Sequence, residues 1–276
     1  MIKFSIITIS YNAVKLIEET MNSVLNQNYT NIEYIIIDGN STDGTQAIIE
    51  NKIPELNKRN IQVQYSSEPD KGISDAFNKG ILKATGDIIA LINAGDCLLP
   101  GVLEKIANNW LDTDQIIYGK TLAIDKEHNL RYLREIPNNI DLSKIAYNGL
   151  VFTHQSAFVK REVYEKYGLY DDNIHYIMDS FLFAHFYENN VHFRYYDEVL
   201  VSMLFGGISS KPSKKMLKEK ILLSKKYNGP STNKIILNYY KGCLFYFLKR
   251  GIRKNKKLWN LMIGKKRQIS DNDFVW

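Results

Sequence analysis

The chain has 276 residues, of which 45% are hydrophobic, 36 are Lys or Arg, 30 are Asp or Glu and two are Cys. That apolar fraction sustains a folded core in one large domain or two ordinary ones. Cys97 and Cys243 are too few and too far apart for a disulfide framework or a zinc site, and a reducing compartment is the default. The net charge of +6 hides a split: residues 1–210 hold 18 basic and 27 acidic side chains, whereas residues 211–267 hold 18 basic ones and a single acid, Glu219. Such an asymmetry marks two functional parts. The first twelve residues are polar by the tenth and read as a strand, not a signal peptide. The best apolar stretch, 235–248, is interrupted by Asn238 and Lys241, which argues against a transmembrane helix.

Residues 4–9 form an apolar run, a strand that ends at Ser10, Tyr11 and Asn12. Leu16, Ile17, Thr20, Met21, Val24 and Leu25 follow at helical spacing. Residues 32–37 give a second strand ending at Asp38. The segment GNSTDGT, 39–45, suits a tight turn that presents backbone N–H groups. A helix over about 45–56 leads to a third strand, 61–65, and to Ser67-Glu68-Pro69-Asp70-Lys71-Gly72. A helix over 73–84 sets Ile73, Ala76, Phe77, Gly80, Ile81 and Ala84 on one face. Residues 88–92 then read as a strand buried on both faces, running into Asn93-Ala94-Gly95-Asp96.

The order β-α-β-α-β-α-β with short connections predicts an α/β fold with a mostly parallel, doubly wound sheet. Ligands of such sheets bind outside the carboxyl ends of the strands. Three of the four ends lead into carboxylates: Asp38, Glu68 with Asp70, and Asp96. A single acid there serves as a helix cap. Several at one edge point to a shared ligand, with a divalent cation to offset their repulsion.

A helix is expected over 103–111, then strands over 115–123 and 131–134 around a turn at 125–129. Residues 151–159 read as an apolar strand carrying His154 and Gln155. A short helix, 161–167, ends at Gly168. A helix over 176–187 holds Asp179 in its first turns, and a last strand over 199–205 runs into Gly206 and Gly207. Beyond residue 211 come a basic helix over 216–227, an aromatic-rich helix over 235–248 and a further basic stretch. The predicted division is 1–210 for the catalytic domain and 211–276 for a basic amphipathic helical tail.

In order, SIITISYN, YIIIDGNSTDGT, EPDKGISDAFNKGI, ATGDIIALINAGD, FTHQSAF and YIMDSFLF resemble the family 2 glycosyltransferases of the GT-A fold, over roughly residues 3–210. The resemblance implies a nucleotide-sugar cleft lined by Ser10, Tyr11, Asn12, Asp38, Asp43, Glu68, Asp70, Lys71, Gly72, Asn93, Ala94 and Gly95. Within it, Asp38 would accept from the base or ribose and Asp43 would steady the turn. Asp96 matches the last acid of the family's metal motif and would hold Mn²⁺ or Mg²⁺ at the diphosphate. Many members carry two acids in this turn; here Gly95 precedes the only one. Asp179 is the implied general base for an inverting displacement, with Asp171 and Asp172 as nearby alternatives. His154, Gln155, Gly206 and Gly207 fall near the acceptor or diphosphate. Read without the resemblance, His154 is a core histidine, Asp179 a helix N-terminal acid and Gly206-Gly207 a turn.

The expected function is transfer of a hexose or N-acetylhexosamine from a UDP-sugar to a lipid-linked (polyprenyl-pyrophosphate) saccharide in bacterial surface polysaccharide synthesis. The alternative is a non-catalytic UDP-sugar-binding protein of the same fold. A nicotinamide-dependent oxidoreductase lacks its G-x-G-x-x-G turn here. Basic residues interleaved with aromatics fit single-stranded nucleic acid, but amphipathic helices at an anionic membrane surface account for them better. No nucleic-acid partner is therefore expected, and the location is cytoplasmic and peripheral at the inner membrane. A homodimer is another use for the aromatic helix.

Overall fold

The computed structural model describes residues 1–126, 129–134, 136, 141–145, 149–206, 212–253, 255, 258 and 261. Its strands are β1 (Phe4–Ser10), β2 (Ile32–Asp38), β3 (Gln62–Ser67), β4 (Ile88–Asn93), β5 (Cys97–Leu98), β6 (Ile116–Asp125), β7 (Leu130–Arg134), β8 (Ala157–Lys160) and β9 (Phe193–Leu204). Its α-helices are α1 (Ile17–Leu25), α2 (Thr45–Lys58), α3 (Ile73–Lys83), α4 (Val102–Asn109), α5 (Arg161–Tyr167), α6 (Met178–Glu188), α7 (Lys214–Lys226) and α8 (Thr232–Arg253). One sheet runs β3-β2-β1-β4-β8-β6-β9-β5, with β7 paired to β6. The first four strands are parallel; β8, β7 and β5 pair antiparallel with their neighbours.

The two faces of the sheet explain the continuous apolar runs. Ile7, Ile9, Ile35, Ile37, Ile89 and Leu91 point to one side, where α3, α5, α6 and α7 cover them. Phe4, Ile6, Tyr34, Ile36, Ile88 and Ile92 point to the other, under α1, α2 and α4. A strand covered on both sides has no polar alternation, as parallel sheets require.

Three expectations need correction. The last strand begins at Phe193, not at residue 199, because Phe193–Glu198 mixes charges with aromatics and hides its periodicity. Phe193, Arg194 and Tyr195 still pair with β6 before an irregularity of register at 196–198, and Arg194 is fixed there by two bonds of 2.7 Å to Asp114. His154 and Gln155 lie in a 3-10 turn before β8 and not within a strand, with Ser156 N–H closing on the Thr153 carbonyl at 3.0 Å. The expected helix over 176–187 starts at Met178. Gly207 and most residues beyond 253 lie outside the described residues.

The basic segment is not detached from the rest. Met216 and Leu223 of α7 enter the same core cluster as α3 and α6. By contrast, Leu237, Tyr240, Leu244, Phe245, Phe247 and Leu248 of α8 are exposed. Among the described residues no helix is long and apolar enough to cross a membrane.

One buried charge fixes the amino-terminal edge of the sheet. Glu33 in β2 is opposite Ser5 and accepts from Ser5 Oγ, Thr85 Oγ1 and N, and Gly86 N, with Lys3 Nζ at 2.8 Å. Burial alone would raise its carboxyl; Lys3, Ser5 and Thr85 overcome that and bring it down to about 2. A depressed carboxyl contributes stability that is present above its unfolded value, near 4.3, and is lost as pH falls through the folded one. We expect Glu33→Gln to cost on the order of 3 kcal/mol at neutral pH. Its urea-unfolding stability should also vary less than the parent's between about pH 4.5 and 2. Parallel curves for the two proteins would exclude this account.

Candidate active site

The carboxyl ends of the parallel strands lie in register: Ser67 opposite Asp38, Asp38 opposite Ser10, and Ile9 opposite Asn93. Asp38 is fully buried and accepts from Ser10 Oγ at 2.8 Å, Ser41 N at 2.8 Å, Ser41 Oγ at 2.5 Å and Ser67 Oγ at 2.7 Å. Both of its oxygens accept from the protein, two bonds each, so Asp38 also builds this edge of the sheet. Asp43 accepts from Thr45 Oγ1 and N and from Val14 N, and the Thr45 hydroxyl in particular holds its carboxyl below the usual range. Asn12, at φ +48°, accepts from Thr42 N at 3.0 Å and donates its own N–H to Ser41 Oγ at 2.8 Å. These bonds join the loops after β1 and β2.

Tyr11 is left standing at their mouth, 67% exposed. Gly39 sits between it and Asp70: a Cβ on Gly39 would fall 2.5 Å from Asp70 Oδ2 and 3.2 Å from Tyr11 Cδ2. A ring and a carboxylate thus pack against a bare backbone at this mouth. Asp70 Oδ1 accepts from Gly72 N at 2.9 Å. Glu68 is exposed, with Lys79 Nζ 3.2 Å away. Lys71 is exposed, and its N–H is taken by Asp75 in the first turn of α3.

Asp96 is the buried centre of the other half, at 4% exposure. Its Oδ2 accepts from Gln155 Nε2 at 2.7 Å and Asn93 Nδ2 at 3.0 Å, and its Oδ1 from the backbone N–H of Leu204 at 2.9 Å. One carboxylate therefore ties together the end of β4, the 3-10 turn before β8 and the end of β9. Burial pushes its carboxyl above the ordinary range, against the pull of Gln155, Asn93, Leu204 N–H and His154. Among the described residues no Lys or Arg lies within ion-pair distance of it. A buried anion held by neutral donors alone is costly. Gly95 explains why this turn has a single acid. Its φ of +99° disfavours a side chain, and a Cβ there would meet Leu204 Cδ1 at 2.8 Å.

His154 connects this carboxylate to the next. Its Nε2 lies 3.5 Å from Asn93 Nδ2 and its Nδ1 lies 3.8 Å from Asp179 Oδ2, with the ring edge-on to Phe77. Asp179, at the start of α6, keeps Oδ1 on the N–H of Ser180 at 2.7 Å and turns Oδ2 toward His154. Asn93, His154, Gln155, Asp96 and Asp179 thus meet at one place. Gly206, exposed at φ +126°, follows the Leu204 anchor closely.

Three members of this arrangement escape a reading of the sequence. Leu204 contributes only its backbone. Thr20 receives Gly95 N–H and donates to the Asp96 carbonyl, both at 2.8 Å, from a position that reads only as helix face. Ser67 is announced only by being the last polar residue before Glu68.

The profile described as Glycosyl transferase family 2 matches residues 5–168. An uncharacterized glycosyltransferase of Haemophilus influenzae is 30% identical over 192 residues, covering 66% of this chain and 75% of its own. A Campylobacter jejuni protein named GalNAc(5)-diNAcBac-PP-undecaprenol beta-1,3-glucosyltransferase is 29% identical over 130 residues, covering 46% of this chain and 40% of its own. Alignments to such relatives span from 34% to 79% of their lengths. Among solved structures, Staphylococcus aureus TarS 1-349 in complex with UDP-GlcNAc superposes with a TM-score of 0.57 at 17% identity, covering 96% of this chain and 77% of that one. Mannosyltransferase PcManGT of Pyrobaculum calidifontis, in complex with GDP-Man and Mn2+, gives 0.59 at 17% identity, covering 89% and 68%. At that identity the structural likeness shows the GT-A fold. With the profile covering more than half of the sequence, the chain belongs to glycosyl transferase family 2.

Proposed function

We propose that the chain is an inverting glycosyltransferase that moves a hexose or N-acetylhexosamine from a UDP-sugar to a lipid-linked saccharide. The carrying observation is the convergence of Asp96, Asn93, His154 and Asp179 at the carboxyl edge of the sheet. The nucleotide would enter between Tyr11, Gly39 and Asp70, with its diphosphate toward Asn93 and Asp96. That UDP-GlcNAc occupies the related TarS favours a UDP donor.

The residues present fit a hard divalent cation, Mn²⁺ or Mg²⁺. Asp96 lacks a cationic partner, and the neighbouring amides of Asn93 and Gln155 need only turn over to offer oxygen in place of N–H. Among the described residues no group of three or more His, Cys, Asp or Glu makes a protein cage. Asp96 would thus hold the ion together with the donor; PcManGT, of the same fold, was solved with both GDP-Man and Mn2+. Bound there, the ion supplies electrostatic stabilisation of charge on the departing nucleoside diphosphate.

Asp179 Oδ2 takes the proton of the acceptor hydroxyl as that oxygen bonds to the anomeric carbon and the bond to UDP breaks. Direct displacement converts an α-linked donor into a β-linked product. His154 packs against Phe77 and flanks Asp179 Oδ2 at 3.8 Å.

The acceptor reading rests on two supports: the C. jejuni relative's name specifies an undecaprenol-PP acceptor, and α8 exposes a row of large apolar side chains. With Lys214, Lys215 and Lys218 nearby on α7, that surface suits an anionic leaflet. The setting would be bacterial O-antigen or capsule synthesis at the cytoplasmic face of the inner membrane.

The test is UDP release from a panel of UDP-sugars, with and without Mn²⁺ or Mg²⁺, in the presence of anionic lipid vesicles at low and high salt. Metal-dependent release from one donor, with vesicle binding lost at high salt, is expected. UDP binding without release from any donor would establish a non-catalytic binding protein. Release from a GDP-sugar only would overturn the nucleotide, and salt-insensitive vesicle binding the membrane surface.

A further inference from the structure

Glu219 is the single acid in residues 211–267, among 18 basic side chains. It lies in α7 but is only 9% exposed. Its Oε1 accepts the backbone N–H of His175 at 3.0 Å, and its Oε2 accepts those of Tyr176 at 2.9 Å and Ile177 at 3.1 Å. These are the N–H groups of the N-cap residue and of the two residues leading into it. The N-cap N–H has no intrahelical partner. The N-cap residue Ile177 supplies no side-chain cap of its own. The anchor comes instead from a helix about forty residues further along the chain, and the helix whose start it holds carries Asp179 in its first turn.

The same start is held from the other side by Ser74 of α3, whose Oγ contacts the Ile174 carbonyl at 3.2 Å and Met178 Sδ at 3.0 Å. Further along, Lys226 Nζ lies 5.9 Å over the ring of Phe181. The sides of α6 are buried and apolar. Apolar packing is non-directional, so it does not fix the height and rotation of the first turn as three charge-assisted bonds do.

We propose that Glu219 is a positioning residue for the transfer step. By holding the N–H groups of 175–177 it sets the start of α6, and so the aim of Asp179 Oδ2 at the acceptor. The basic C-terminal segment is then part of the catalytic apparatus as well as a membrane-facing surface. This inference rests on the reading of Asp179 as the base.

The test measures UDP release from UDP-glucose and UDP-N-acetylglucosamine, and UDP binding by calorimetry. The proteins compared are the parent, Glu219→Gln, Glu219→Ala, Asp179→Asn and the double variant with Glu219→Gln. A misplaced catalytic group costs up to about 100-fold. The expected result is a kcat falling about 10- to 100-fold in the order Glu, Gln, Ala, with donor KM and UDP affinity within about twofold. Gln retains one acceptor oxygen, which places it between the other two. In the Asp179→Asn background Glu219→Gln should change the residual rate little, because there is no base left to aim. A merely structural role predicts instead the same fractional loss in both backgrounds, in step with lost UDP-binding sites, and that result would overturn the proposal. So would an unchanged kcat in Glu219→Gln beside an impaired Asp179→Asn. A full rate in Asp179→Asn would remove the base assignment itself, and this inference with it.

Discussion

Asp179→Asn slows transfer by about 10²- to 10⁴-fold, the usual contribution of a positioned carboxylate base, and leaves UDP affinity within about twofold. The amide has the same shape and still accepts the Ser180 N–H on Oδ1. What it lacks is an oxygen that can take a proton at the Oδ2 position. Stability changes little, since the side chain is 30% exposed and makes no buried ion pair. The lost charge at a helix start costs about 0.3–1 kcal/mol. The other acids nearby are otherwise engaged: Asp171 caps its own turn at Asn173 N–H, and Asp172 accepts from Asn78 Nδ2 at 3.1 Å. Both are exposed on the loop before α6. Product formation followed alongside UDP calorimetry checks the expectation. A full rate in Asp179→Asn would send the base role elsewhere, and equal losses in rate and UDP affinity would mean that Asp179 belongs to donor binding.

The strand cores were the most legible part of this chain. β1, β2 and β4 are buried on both faces, so their apolar runs are continuous and end abruptly at polar turns. The functional edge follows from that, because each run stops where the sheet meets its ligand face. β9 was half legible: Leu200 and Val201 announce it, whereas its first six residues are partly exposed and carry charge. β5, two residues long, has no period to detect.

In the site, residue types were legible and their partnerships were not. Asp96 invites reading as an acid at a strand end, but its three donors come from positions 93, 155 and 204. Only the antiparallel return of β8 and the far end of β9 bring them together. Asp38 was legible as an acid at a strand end, but the serines that bind its two oxygens, Ser10 and Ser67 in register and Ser41 in the following loop, were not legible as its partners. Glu219 carried a signal, an acid alone in a basic segment, but its target depends on how α7 packs.

Asp96→Asn is expected to reduce metal-dependent UDP release by at least about 10²-fold without weakening the fold. The two halves of that expectation come from one observation. Asp96 is buried among neutral donors, and desolvation holds its carboxyl above the ordinary range. A charge so placed opposes folding until a cation compensates it. Removing it should leave the thermal midpoint of the metal-free protein unchanged or raised, even though Asn must reorganise its contacts with Gln155 and Asn93. Sites that trade stability for function behave this way. In the parent, Mn²⁺ with UDP should raise the midpoint through binding to the folded state alone. In Asp96→Asn that metal-specific increment should vanish, while the part due to UDP persists through the proposed nucleotide contacts at Tyr11, Gly39 and Asp70. The calorimetric comparison needs no knowledge of the acceptor or the sugar, so it stands apart from turnover. An Asp96→Asn protein that still gains stability from Mn²⁺ would place the ion elsewhere. One that melts well below the parent without metal would make Asp96 a structural tie between β4, β8 and β9 and nothing more.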